Sequence, residues 1–184
     1  MHYVKIQNVA IFTNSSKNLV LRQRFAMEFL RLAQNKKHFL NVDESWLGQS
    51  DYRRLKWQVK GRPATLQTHQ LQPRISVILG IDSEGQLYLS LVQANSNSDI
   101  MAAFFRQLAL KLDRERPGWR NDTVIVLDNA PYHTSAATLK VLESLQMPVL
   151  FTGPHSFSGV PVELVFSMLK RTNLNPRLVP TGKK

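Results

Sequence analysis

The feature that most constrains this chain is the run Thr123-Val-Ile-Val-Leu127, apolar or β-branched at every position and followed at once by Asp128-Asn129. A strand without polar alternation has no solvent face, so it belongs in the middle of a sheet covered on both sides. Its end hands a carboxylate to the strand's C-terminal edge. Everything else in the chain has to supply neighbours for that strand and helices for its two faces.

The neighbours are visible as periodicities. The segment His38-Phe-Leu-Asn-Val-Asp-Glu-Ser-Trp-Leu47 reads as a strand in which Asn41 and Asp43 fall on one side by period two, with Asp43 near its end. Ile75, Val77, Leu79 and Ile81 alternate, a turn at Asp82-Ser-Glu-Gly85 follows, and Leu87, Leu89 and Leu91 alternate again, which predicts two antiparallel strands. Pro148 to Phe151 reads as a short strand.

Four helices complete the set. From Asn18 to Gln34, Leu21, Phe25, Phe29 and Leu32 form an apolar stripe, with Arg22, Arg24 and Arg31 elsewhere on the cylinder. Asn97 or Ser98 caps a helix buried through Met101, Phe105, Leu108 and Leu112, which Arg116-Pro117-Gly118 ends before a basic loop. A helix from about Thr134 uses Val141, Leu142 and Leu145. Pro161 opens the last one, whose core face is Val162, Val165, Phe166 and Leu169.

Between Asp51 and Arg62 the residues Arg53, Arg54, Lys56, Lys60 and Arg62 surround Trp57 and predict an exposed basic hairpin. The order implies an α/β fold that resembles RNase H, a mixed sheet with helices on both faces and a basic hairpin inserted after the first strand. The expected organisation is an extension over 1–17, one catalytic domain over 18–172 and a tail over 173–184.

Composition narrows the chemistry. Lys and Arg number 24 against 13 Asp and Glu, a formal charge of +11 on 184 residues, which points to a polyanionic partner with nucleic acid first. Cysteine is absent, so disulfides, thiolate zinc sites and cysteine nucleophiles are excluded, leaving carboxylates, His and hydroxyls. That fits an intracellular protein. No apolar run approaches the ~20 residues that cross a bilayer, and no membrane or small-molecule cofactor is expected.

Three carboxylates arrive at element ends: Asp43 on the first strand, Asp128 after the buried strand, and Glu163 in the first turn of the last helix. Phosphodiester hydrolysis at two hard cations ~4 Å apart needs shared carboxylate oxygens. Each residue has a blander reading as well. Asp128 alternatively closes its strand as an Asx turn, Asp43 is alternatively a strand-end charge with Glu44 competing as ligand, and Glu163 alternatively favours the helix dipole.

Flanking residues add a likeness. Asp128-Asn-Ala-Pro-Tyr-His-Thr-Ser135 resembles the second-aspartate motif of the mariner-type superfamily of DDE transposases, and 34 residues lie between Asp128 and Glu163, the spacing of one large branch. Asp43-Glu-Ser resembles the first-aspartate motif. Pro161-Val-Glu163 with Phe166 and Leu169-Lys170 resembles the closing motif, and Pro154 and Ser156 fall where the family has Pro and Ser. The loop between departs: Ser156-Phe-Ser-Gly-Val-Pro-Val-Glu163 stands where members commonly read Ser-Pro-Asp-Leu-Asn-Pro-Ile-Glu. Lys56-Trp-Gln-Val-Lys-Gly61 is similar to a Trp-x-x-x-Gly hairpin of the family.

The resemblance implies a catalytic triad of Asp43, Asp128 and Glu163 holding two Mg²⁺ ions, with Mn²⁺ as substitute. It implies nicking of double-stranded DNA at transposon ends, attack of the freed 3′-hydroxyl on target DNA, and a homodimer. Arg53, Arg54, Lys56, Lys60 and Arg62 in the hairpin are the expected DNA contacts, with Asn129, His133 and Lys170; alternatively Asn129 orients Asp128 or caps a turn, His133 contacts a carboxylate or is a structural His, and Lys170 is a solvated Lys. The expected location is the nucleus in a eukaryote, otherwise the cytoplasm with the nucleoid.

Two rivals stand beside this reading. Mariner-type transposases carry N-terminal helix-turn-helix modules, for which there is no room before Asn18, so a truncated or host-adopted relic that binds DNA or a partner without cleaving is the alternative. An RNA-cleaving RNase H or a resolvase-type nuclease shares the fold and metal logic. The Asp-Asn-x-x-x-His string favours the transposase.

Overall fold

The structure, a computed structural model, describes residues 14–47, 60–61, 75–154, 156 and 161–171. Its elements in chain order are α1 (Ser16–Gln34), β1 (His38–Leu47), β2 (Ile75–Asp82), β3 (Leu87–Val92), α2 (Ser98–Glu115), α3 (Trp119–Asp122), β4 (Thr123–Leu127), α4 (Ala136–Ser144), β5 (Val149–Phe151) and α5 (Pro161–Arg171).

Five strands form one sheet in the order β3-β2-β1-β4-β5. β1 pairs antiparallel with β2, and β2 with β3, whereas β1 with β4 and β4 with β5 are parallel. All five residues of β4 are buried, as its unbroken apolar run requires. The tight turn between β2 and β3 places Gly85 at φ 84°, a left-handed conformation that costs glycine nothing.

Alternation along β1 divides the core. Leu40 and Val42 face one side with Ile78, Ile125 and Leu127, against Met101, Phe105, Leu108 and Leu112 of α2 and Leu142 of α4. Leu47, Val77 and Leu79 face the other side, against Val162 and Phe166 of α5. On that second side Phe29 of α1 stacks on Phe39 with ring centroids 4.2 Å apart. The chain therefore has the expected RNase H-like mixed sheet with helices on both faces. Each fully buried Leu, Ile or Phe contributes roughly 1.5–3 kcal/mol.

Several boundaries differ from the sequence expectation for local reasons. α1 starts at Ser16 because the Ser15 hydroxyl accepts the Asn18 N–H at 3.3 Å. α4 starts at Ala136 because Ser135 caps it through the Thr138 N–H. The expected loop after Gly118 contains a helical turn, α3, pinned by Trp119, which is 1% exposed and donates its indole N–H to Asp113 at 2.8 Å. Asn97 supplies the cap of α2, accepting from the Ile100 N–H at 3.0 Å.

Of the basic hairpin only Lys60 and Gly61 are described, as an exposed turn; Arg53, Arg54, Lys56, Trp57 and Arg62 lie outside the described residues, as do 1–13 of the extension and the tail over 173–184. Among the described residues no helix is long and apolar enough to cross a membrane.

Candidate active site

The parallel pairing of β1 with β4 runs from His38 opposite Thr123 to Asn41 opposite Val126. Two residues beyond that last pair come Asp43 on one strand and Asp128 on the other, so adjacent strands deliver two carboxylates to the same edge. α5 crosses that edge on the Asp43 side of the sheet and brings Glu163 in its first turn. All three line one groove of about 640 Å³ with Asn41, Trp46, Asn129 and Lys170.

Asn41 ties these elements together. Its side chain is 6% exposed; Nδ2 donates to the Val126 carbonyl at 3.3 Å and Oδ1 accepts from the Val162 N–H at 3.2 Å. The first of these bonds ends two residues before Asp128, the second one residue before Glu163. Sequence reasoning placed Asn41 beside Asp43 by alternation but found no role for it, because its partners are 85 and 121 residues away.

The carboxylates differ in charge state. Burial pushes Asp43 up to about 7, reinforced by Glu44, Asp128 and Glu163, while its hydrogen bond from the Glu44 N–H at 2.8 Å works the other way. Burial also opposes ionisation of Asp128, but hydrogen bonds from His133 and from the Ala130 N–H, at 2.9 Å, outweigh it and hold Asp128 below the ordinary range. One groove thus holds an aspartate that resists ionisation next to one that favours it.

Of the readings open for His133, the DNA contact does not fit, because the ring is 0% exposed; a carboxylate contact and a structural His do. Its Nδ1 is 2.6 Å from Asp128 Oδ1, and its Nε2 is 3.3 Å from Glu44 Oε2. Burial alone lowers an imidazole's pKa, but the two carboxylates flanking His133 lift it to about 9. The ring is clamped between two carboxylates in the core beneath the groove, where it cannot reach a phosphate.

The remaining expected contacts fall as follows. Asn129 is exposed in the groove, and its Nδ2 donates to the Thr152 carbonyl at 2.5 Å, joining the ends of β4 and β5. Lys170 is half-buried on the groove wall beside Glu163. Lys60 is exposed in its turn, outside the groove lining. Trp46, three residues after Asp43, borders the groove and is 51% exposed; an indole next to two acidic residues was the signal that sequence reasoning passed over. The far wall is held by Gly153, where a Cβ would stand 2.7 Å from the Arg22 Cα of α1, so only glycine admits so close a helix.

Among the described residues no three His, Asp or Glu side chains are gathered closely enough to grip one ion as they stand. The donor set nevertheless fits a hard divalent cation: oxygen ligands throughout, with burial first and the neighbouring carboxylates second disfavouring the charge on Asp43, a cost that a cation among them would offset.

Residues 38–184 match the family model of the DDE superfamily endonucleases. The chain belongs to that family. No curated protein gives a significant match. Solved structures with this DDE fold include the Mos1 mariner paired end complex with Mn (TM-score 0.68, 23% identity, covering 90% of this chain and 52% of that one). The catalytic domain of Mos1 mariner transposase is also similar (TM-score 0.59, 19% identity, 94% and 78%), as is the Mos1 transposase catalytic domain with Raltegravir and Mn (TM-score 0.62, 20% identity, 84% and 71%). At these identities the likeness is one of fold. This DDE chain spans about half the length of the Mos1 chains in the paired-end complexes.

Proposed function

We propose that this chain is the catalytic domain of a cut-and-paste DNA transposase, a metal-dependent endonuclease and strand transferase acting on DNA phosphodiesters. The observation that carries the reading is the delivery of Asp43, Asp128 and Glu163 to one groove from three separate elements of a DDE fold. Asp43, Asp128 and Glu163 hold two Mg²⁺ ions, or Mn²⁺ in their place; the solved Mos1 complexes with Mn and with Mg support the choice of metal. Such cations activate water and neutralise charge on the reacting phosphoryl oxygens.

The chain's own residues do the rest. Asp128 offers a carboxylate kept ionised by His133 and Ala130, Asn41 fixes the spacing of the three ligand-bearing elements, and Lys170 and Asn129 face the phosphate backbone from the groove walls. Arg53, Arg54, Lys56, Lys60 and Arg62 add electrostatic attraction along the duplex. Residues 18–172 form the catalytic unit, and the working species is a homodimer on double-stranded DNA. Transposon ends are its substrate, by analogy with the Mos1 transposase paired-end complex with left transposon end.

A relic that binds DNA without cleaving is the second reading, favoured by the open arrangement of the triad. Nicking of supercoiled plasmid in Mn²⁺ separates the two. The proposal expects nicking that Asp128→Asn abolishes when assayed well below that variant's own unfolding temperature, which falls because Asp128 also partners the buried His133; binding without nicking by the unaltered chain would establish the relic.

A further inference from the structure

We propose that Glu44 is a positioning residue that couples the two aspartates of the site, gripping Asp43 with its backbone and Asp128 through His133. The inference rests on the metal-site reading above and extends it to a carboxylate that the triad does not include.

Glu44 follows Asp43 on β1, so strand alternation turns its side chain to the opposite face of the sheet. That side chain is 5% exposed, and its Oε2 stands at ion-pair distance from His133 Nε2, 3.3 Å. The other ring nitrogen reaches Asp128 Oδ1 at 2.6 Å. At the same time the Glu44 N–H donates to Asp43 Oδ1 at 2.8 Å. One residue therefore touches both aspartates, by its main chain on one face of the strand and by its side chain through an imidazole on the other.

This geometry explains two features together. A buried carboxylate oxygen and a buried ring nitrogen each need a polar neighbour, and at 3.3 Å Glu44 Oε2 and His133 Nε2 face one another. It also assigns the two oxygens of Asp128. Oδ1 is taken by His133 and by the Ala130 N–H, which leaves Oδ2 for a cation. Glu44 competes poorly as a ligand itself, because its carboxylate is buried against His133. Tyr132 packs edge-on against the imidazole, centroids 4.9 Å apart, and restricts its rotation.

The test uses the full chain, with Mn²⁺ as the probe. In metal-free protein, Glu44→Ala is expected to shift both the His133 imidazole ¹⁵N and the Asp128 carboxyl ¹³C resonances. It is expected to weaken Mn²⁺ binding, followed by electron paramagnetic resonance, about tenfold, the lower end of what outer-shell partners of metal ligands cost. Glu44→Gln, which keeps the length of the side chain and a carbonyl oxygen to face Nε2, should restore most of the affinity. Where Glu44→Ala does not fold, Glu44→Asp, one methylene too short to reach the ring, reports the same resonances.

An Asp128 resonance that stays in place when Glu44 is shortened or removed would overturn the coupling. So would a Glu44→Gln variant that loses Mn²⁺ as completely as Asp128→Asn, because Glu44 would then be a ligand. Resonances that respond in a protein that binds no Mn²⁺ would uphold the coupling and refute the metal site instead.

Discussion

The backbone N–H of Val162 donates to Oδ1 of Asn41 at 3.2 Å, joining the first turn of the last helix to the first strand. The first N–H groups of a helix have no intrahelical partner, and here a side chain 121 residues upstream accepts one of them. The same amide holds β4 through the Val126 carbonyl. Asn41→Leu fills similar volume but takes this side-chain partner from the Val162 N–H and the Val126 carbonyl. We expect a loss of about 1–3 kcal/mol in urea unfolding, together with a fall in Mn²⁺-dependent nicking when assayed well below the unfolding midpoint.

Asp43 predicts a pH dependence. Its folded pKa of about 7 lies above the ordinary carboxylate value, so the native state holds a proton that the unfolded chain releases between about pH 4 and 7. Stability of the metal-free protein should therefore fall as pH rises through that window. Asp43→Asn should have a flatter profile than the unaltered chain and a higher melting temperature at about pH 8, where the buried charge is fully present. Parallel pH profiles of the two proteins would show that the groove does not load Asp43 in this way.

Much of the fold was legible because most elements carry a local signal. The unbroken run 123–127, the alternation in β2 and β3, a cap at Asn97 or Ser98 and Pro161 at a helix start each declare themselves within a few residues. α3 did not, since four residues are too few to show a period. Long-range facts were hidden for a different reason. Nothing local distinguishes a His that opens a helix at the surface from one buried between carboxylates; the position of Glu44 on the neighbouring strand decides it. Asp128 and Glu163 were readable from their places at element ends, whereas Asp43, expected near a strand end, lies inside β1, and Asn41 became meaningful only when β1 was found between β2 and β4.

Trp46 gives a prediction about nucleic acid alone. Its indole is 51% exposed on the groove wall, and an aromatic face stacked on a base is worth about 1–3 kcal/mol. Trp46→Ala should weaken DNA binding by that amount in a fluorescence anisotropy titration and leave Mn²⁺ affinity unchanged. Unaltered DNA affinity would remove the stacking role.

The basic hairpin is tested by salt. Replacing Arg53, Arg54 and Lys56 by Gln removes up to three phosphate contacts, each worth about 0.9 in the slope of log affinity against log salt on duplex DNA. The slope should flatten by up to about 2.7 in the triple variant. An identical slope would place the duplex elsewhere on the protein.

The central claim is that Asp43, Asp128 and Glu163 hold metal, and anomalous diffraction from crystals soaked in Mn²⁺ tests it most directly. Anomalous peaks are expected in the groove, at the carboxylates of Asp43, Asp128 and Glu163. A groove without an anomalous peak at saturating Mn²⁺, or a peak bound to other residues, would contradict it.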